Sequence, residues 1–151
     1  VGVVGWTDCN ILLDENGGPN HVGNFCFAPV HADTRTGELI YTPTYYYMGH
    51  FSRYIEPGAK RVSTTVSQSF LLAASFVNPD GTPVTVLCNT GDTAIDVNFY
   101  VGDQEAEWTI PARAIQAVVY GIDNAMGEPV EKQARAMCGA IVCRVGNSLP
   151  T

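Results

Sequence analysis

The stretch Ile95-Asp96-Val97-Asn98-Phe99-Tyr100 decides how this chain is read. Ile95, Val97 and Phe99 alternate with Asp96, Asn98 and Tyr100, the two-residue period of a strand with one face in a core and the other in water. The strand they predict runs from Ala94 to Val101, and it has neighbours on both sides in sequence. Ala106 to Ile110 and Ala114 to Tyr120 follow it; Val62 to Val66, Phe70 to Val77 and Val84 to Asn89 precede it. Asn78-Pro79-Asp80-Gly81 carries the residue types of a tight hairpin turn, and Thr90-Gly91-Asp92 predicts a second. Six short strands at this spacing predict an immunoglobulin-like β-sandwich over residues 59–121, slightly short of a full set.

Upstream of the strands the period changes. Tyr47, Phe51 and Tyr54 recur at i, i+4 and i+7, with Met48 and Ile55 beside them, which predicts a helix over 44–55. Thr44 can cap it and Glu56-Pro57-Gly58 stops it. Between residues 10 and 43, Ile11 to Leu13, Phe25 to Val30 and Glu38 to Tyr41 read as strand pieces in a small antiparallel excursion. Asn16-Gly17-Gly18-Pro19 and Asp33-Thr34-Arg35-Thr36-Gly37 separate them. Residues 1–6 are small and β-branched, and polarity begins only at Thr7 and Asp8. That is the pattern of a buried parallel strand whose C-terminal end faces a site. After residue 121, 128–137 predict a short helix with Glu128–Lys132 and Glu131–Arg135 pairs, and 141–145 predict a strand.

Composition narrows the function. Apolar residues make up 46% and charged residues 15% of the 151, with 15 Gly and 9 Pro, which describes a folded chain of short strands and tight turns. A net charge of −7, with 8 scattered basic residues, disfavours nucleic acid and anionic membranes as partners. No apolar run approaches the ~20 residues of a transmembrane segment. Val1 to Gly5 lacks the basic flank of a signal peptide and there is no initiator Met, so the chain is expected to be a processed or truncated product. Five cysteines leave one unpaired in an oxidising compartment. Cys138 with Cys143 and Cys9 with Cys26 are the candidate disulfides, and Cys88 reads as a small buried hydrophobe. No His pair has metal-ligand spacing, and no metal or cofactor is expected.

Three blocks complete the reading: Trp6-Thr7-Asp8-Cys9-Asn10, then Gly17-Gly18-Pro19-Asn20-His21-Val22-Gly23-Asn24-Phe25-Cys26, then Tyr47-Met48-Gly49-His50-Phe51-Ser52-Arg53. In order and spacing they resemble the C-terminal part of family 30 glycoside hydrolases, the group that holds the glucosylceramidases. The resemblance covers about residues 2–120. It implies that 1–58 form the eighth strand, a β excursion and the last helix of a (β/α)8 catalytic barrel. The sandwich, 59–121, would be completed by strands from upstream of the barrel, and 122–151 would be an extension of unknown role. The fold class expected is therefore mainly β, an immunoglobulin-like sandwich preceded by the end of a barrel. The compartment implied is secreted or lysosomal-type.

Glycoside hydrolysis needs two carboxyl groups flanking the scissile bond, roughly 5 Å apart in a retaining enzyme. Glu15, Glu38, Glu56, Glu105 and Glu107 read as solvated surface, and the resemblance places both catalytic glutamates upstream, so no catalytic residue is expected here. It carries over a supporting role instead. Trp6 and Asp8 would stand at the end of the last barrel strand, near the sugar. Asn24 and Phe25 would sit on one lip of the pocket, where an aromatic edge, a carboxylate and an amide suit a sugar's apolar face and hydroxyls. His21 is a candidate for the pocket rim, His31 has no partner legible in the sequence, and His50 is expected to hydrogen-bond a neighbouring element. Two positions depart from the family pattern. Many members have a second tryptophan at Cys9 and an aspartate at Phe27, departures that bear on the aglycone, the linkage or the integrity of the site.

The chain is thus expected to be the C-terminal segment of a retaining β-glycosidase acting on β-glucosides such as glucosylceramide, inactive by itself. Its partner would be an upstream segment or chain carrying the rest of the barrel. Residues 1–6 and the aromatic helix would otherwise leave apolar surface in water at about 25 cal/mol per Å2. The competing class is a secreted, non-catalytic β-sandwich that binds carbohydrate or protein through exposed aromatics, for which Tyr100, Trp108 and Tyr120 are the candidates.

Overall fold

The computed structural model describes residues 3, 5–8, 10–18, 22–23, 25–101 and 104–119. The predicted helix at 128–137, the strand at 141–145 and the Cys138–Cys143 pair lie outside the described residues, as do Cys9 and Tyr120. The chain divides into two compact units, Val1–Gly49 and His50–Thr151.

The first unit holds a three-stranded sheet in the order β1-β2-β3, made of β1 (Leu12–Asp14), β2 (Val30–Asp33) and β3 (Glu38–Tyr41). β2 and β3 form the hairpin expected around Asp33 to Gly37. Gly37 takes a φ of 77°, which a side chain would resist. β1 and β2 instead pair in parallel, Leu12 opposite Val30, so the excursion is mixed and not wholly antiparallel. The connection over 15–29 is long enough for the crossover that a parallel pair demands.

Residues 3 and 5–8 form no strand, contrary to the pattern read at 1–6, and Val3 and Trp6 are 74% and 73% exposed. A parallel strand exists only through ladders to its neighbours, and none of the described strands pairs with this segment.

The helix α1 (Pro43–Ser52) begins one residue before the expected start. Pro43 suits the first helical position, where its missing N–H costs nothing. The Thr42 carbonyl accepts the Tyr45 N–H at 3.1 Å. Thr42, not Thr44, stands at the cap, and its hydroxyl donates to the Pro29 carbonyl at 2.9 Å. The Ile55 N–H still reaches the Phe51 carbonyl at 3.0 Å, after which Pro57 and Gly58, at a φ of 92°, end the turn. His50, in the last turn, is the helix residue that is buried.

The second unit is the sandwich. β4 (Lys60–Val62), β5 (Leu71–Val77), β6 (Pro83–Asn89) and β9 (Ile115–Val119) make a four-stranded antiparallel sheet in the order β4-β5-β6-β9. β7 (Ile95–Val101) and β8 (Gln104–Ile110) form a separate hairpin. Leu71, Leu87, Ile110, Ala114 and Val118 are the buried core, with Ile95, Val97, Phe99 and Trp108 packed against it. The alternation in β7 is therefore physical: Ile95, Val97 and Phe99 half-buried, Asp96, Asn98 and Tyr100 exposed.

Two buried asparagines fix the corners. In the hairpin between β5 and β6, the Asn78 carbonyl accepts the Gly81 N–H at 2.9 Å. The Asn78 side chain donates to the Tyr54 carbonyl at 2.9 Å and accepts the Glu56 N–H at 3.0 Å, holding the segment after the helix. Asn89 is fully buried. Its Nδ2 lies 2.8, 3.3 and 3.0 Å from the carbonyls of Thr93, Ile110 and Pro111, and its Oδ1 accepts the Gly91 N–H at 2.9 Å. Thr90-Gly91-Asp92 is thus not a hairpin turn but the crossing from one sheet to the other.

Candidate functional site

The lip expected around Phe25 is built from the turn behind it. Asp14, at the end of β1, organises residues 14–18: its Oδ1 accepts the N–H groups of Asn16 at 2.9 Å and Gly18 at 2.8 Å, and its carbonyl accepts that of Gly17 at 3.1 Å. Short acidic side chains favour such turns by bonding the backbone two residues on. Gly17 takes a φ of 71°, and a Cβ there would lie 2.7 Å from the Cys26 nitrogen and 3.0 Å from Cδ2 of Phe25. The absent side chain is what lets the 25–27 segment lie directly on the turn.

From that backing Phe25 and Phe27 project together, 54% and 59% exposed. Their rings meet edge to face, with centroids 5.1 Å apart at 73°. Phe27 also stands edge-on to His31 of β2, at 5.4 Å and 76°. The Ala28 N–H donates to Nε2 of His31 at 3.3 Å, so the imidazole has both a ring contact and a backbone partner. The Thr42 N–H donates to the Pro29 carbonyl at 2.9 Å and ties down the far end of the segment. A second brace lies at the other side of the turn, where both Glu15 oxygens are engaged by Thr34, one by its N–H at 3.0 Å and the other by its hydroxyl at 2.8 Å. These bonds, the backbone one first, hold the Glu15 carboxyl below the usual range. Arg35 does the same for Asp33, through the side-chain bonds first and an ion pair of 3.1 Å.

Of the residues singled out as sugar-binding, Phe25 stands on this lip. Trp6 and Asp8 lie on the irregular segment 5–8, Trp6 well exposed and Asp8 half-buried. Asn24 and His21 fall outside the described residues. Phe27 and His31 are joined to Phe25 in one chain of edge-to-face ring contacts. The spacing Phe25-Cys26-Phe27 was the available signal, since alternate residues of an extended segment share a side.

Glu38, Glu56, Glu105 and Glu107 are exposed, and Glu15 is committed to Thr34. No two of these glutamates are joined in a described contact. Among the described residues no group of three His, Cys, Asp or Glu could hold a metal ion, and no helix is long and apolar enough to cross a membrane. In the sandwich, Trp108 packs on the core and its Nε1–H donates to Gln116 at 2.8 Å. Tyr100 is 64% exposed and its hydroxyl donates to Glu105 at 2.8 Å. One of the two rings turns inward and the other outward, so they make no shared platform.

A small mixed sheet and a helix followed by a sandwich have counterparts among known proteins. Residues 1–55 match the glycosyl hydrolase family 30 TIM-barrel domain, and residues 58–118 match the family's β-sandwich domain. The chain belongs to glycosyl hydrolase family 30. It is 36% identical over 104 residues to the lysosomal acid glucosylceramidase of Mus musculus, a match covering 68% of this chain and 20% of that protein. Among solved structures, SrfJ from Salmonella typhimurium superposes with a TM-score of 0.68 at 35% identity, over 74% of this chain and 25% of that one. The endo-β1,6-glucanase BT3312 gives 0.66 at 26% identity, over 72% and 25%. The match thus spans about a quarter or less of the length of these relatives.

Proposed function

We propose that this chain is the C-terminal segment of a retaining β-glycosidase acting on β-glucosides such as glucosylceramide. Residues 1–58 contribute the last strand, the β excursion and the last helix of the catalytic barrel, 59–121 most of the sandwich, and 122–151 an extension. The rest of the barrel, with the two catalytic glutamates, comes from an upstream segment or chain. Trp6, Asp8, Asn24 and Phe25 line one side of the sugar pocket: the aromatic edges meet the apolar face of the glucose, and the carboxylate and amide take its hydroxyls. A lysosomal-type or secreted compartment suits the mouse relative's printed name and the cysteine content.

The observation that carries this reading is the direct succession of family 30 barrel and sandwich matches along one short chain, with Phe25 held out on a braced lip. The test is hydrolysis of an aryl β-glucoside by the complete protein and by the 151-residue chain. Turnover by the complete protein alone, with retention of the anomeric configuration in the first-formed product, is the expected result. Turnover by the 151-residue chain refutes the division of labour. An inactive complete protein refutes the activity itself.

A further inference from the structure

We propose that Asn16 is a site of spontaneous deamidation, and that its conversion to isoaspartate unseats the 25–27 segment. Asn16 is followed by Gly17, whose backbone nitrogen no side chain shields. The other described asparagines precede Ile11, Pro79, Thr90 and Phe99. Three of these followers are β-branched or bulky, and the proline has no N–H. The side chains of Asn78 and Asn89 are held by backbone groups at both the amide nitrogen and the oxygen. That of Asn16 has no hydrogen-bond partner among the described residues, and only its N–H is engaged, by Asp14.

The chemistry needs water alone. The Gly17 nitrogen attacks the side-chain carbonyl carbon of Asn16. The new C–N bond closes a cyclic imide, and the side-chain nitrogen leaves as ammonia, taking the Gly17 amide proton with it. Water then opens the ring: cleavage at the side-chain carbonyl gives aspartate, and cleavage at the main-chain carbonyl gives isoaspartate, whose main chain runs through an extra methylene. In the folded turn the Gly17 N–H donates to the Asp14 carbonyl at 3.1 Å, and Asp14 Oδ1 accepts the N–H groups of Asn16 and Gly18. The attack waits until these bonds open, so Asp14 sets its rate through the local stability of the turn. The isoaspartate has no room. A single carbon added at Gly17 as a Cβ would lie 2.7 Å from the Cys26 nitrogen, so a methylene inserted beside it displaces either the turn or the segment seated on it.

The test incubates the complete protein in mildly alkaline buffer and maps its peptides by mass spectrometry. Residue 16 should turn acidic well before Asn98, with isoaspartate among the products. Asp14→Ala should speed the conversion about fivefold, the factor that one net hydrogen bond is worth. If that variant does not fold, the parent protein in urea takes its place and should convert faster than the folded form. The deamidated fraction, separated by its added negative charge, is then compared by hydrogen exchange with Asn16→Asp, which adds the charge without the methylene. The Gly18 and Ala28 amides should lose protection in the first and keep it in the second. Conversion at residue 16 no faster than at Asn98 overturns the site. A rate unchanged by Asp14→Ala or by urea overturns the role of the turn. Aspartate as the sole product, or isoaspartate that leaves Ala28 as protected as before, overturns the unseating. Neither readout uses glycosidase activity, so the outcome is independent of the function proposed above.

Discussion

An alanine at Gly17 would place its Cβ 2.7 Å from the amide nitrogen of Cys26, at a φ of 71° that side chains avoid. Either the turn or the 25–27 segment must move. Gly17→Ala in the complete enzyme should therefore cost about 1–3 kcal/mol of stability and raise KM for the glucoside, because the lip that carries Phe25 shifts. Denaturant unfolding and steady-state kinetics check the two effects; an unchanged KM would detach the lip from the site. Glu15 gives a pH prediction. Its carboxyl titrates below the usual range in the folded state, so its contribution is complete above the unfolded glutamate pKa and is lost as pH falls through the folded value. The Thr34 amide should thus gain hydrogen-exchange protection from pH 3 to pH 6, and Glu15→Gln should flatten that rise. The sequence marks Gly17 and Phe25 through family blocks, but not Thr34 as a partner nineteen positions from Glu15. A bond between two turns belongs to no local pattern.

Strands were the legible elements. Five of the six sandwich strands form within two residues of where the sequence pattern puts them; the first, expected at Val62 to Val66, forms at Lys60–Val62, and the Asn78–Gly81 turn forms as its composition requires. What periodicity cannot supply is a partner. Residues 1–6 have the composition of a strand without a ladder, β1 pairs in parallel across a long loop, and the Thr90-Gly91-Asp92 turn changes sheets because Asn89 binds carbonyls at the end of β8 and just after it. Long-range pairing is also testable within the sandwich. Ser75 and Thr85 face each other across β5 and β6, their hydroxyls 2.7 Å apart and buried. Thr85→Val leaves a buried hydroxyl on Ser75 unsatisfied and should cost about 1–3 kcal/mol. Adding Ser75→Ala should cost less than the sum of the single changes, by about 1 kcal/mol. Urea unfolding of the single and double variants gives that coupling, and strict additivity would show that the pair is not the unit.

The exposed large apolar side chains are distributed unevenly over the molecule. Val3, Trp6, Ile11, Val22, Phe25 and Phe27, each more than half exposed, fall in the first unit, against Leu72 and Tyr100 in the second, whose strands share a buried core. The two units should therefore behave differently in the 151-residue chain. It should bind a hydrophobic dye, and limited proteolysis should cut within residues 1–49 before it cuts between 60 and 119. Cleavage in the reverse order, without dye binding, would show that the first unit has a better-packed state than its exposure implies. The fold class is thus more legible than the site. A sandwich core is local to its own strands, whereas a glycosidase pocket is assembled from several strand ends of a barrel.

Leu39, Ile40 and Tyr41 of β3 are each close to half exposed, and β3 closes the order β1-β2-β3 with one side unpaired among the described strands. For anyone producing the 151-residue chain, this has a practical meaning. A bare, apolar strand edge is a template on which a second copy can dock, and the docked copy offers the same edge again. Yield should then fall with expression level, and light scattering should rise with storage concentration. A charge at the middle of the edge is the usual natural remedy, so Ile40→Lys should keep the chain clear in solution at concentrations where the parent sequence turns turbid.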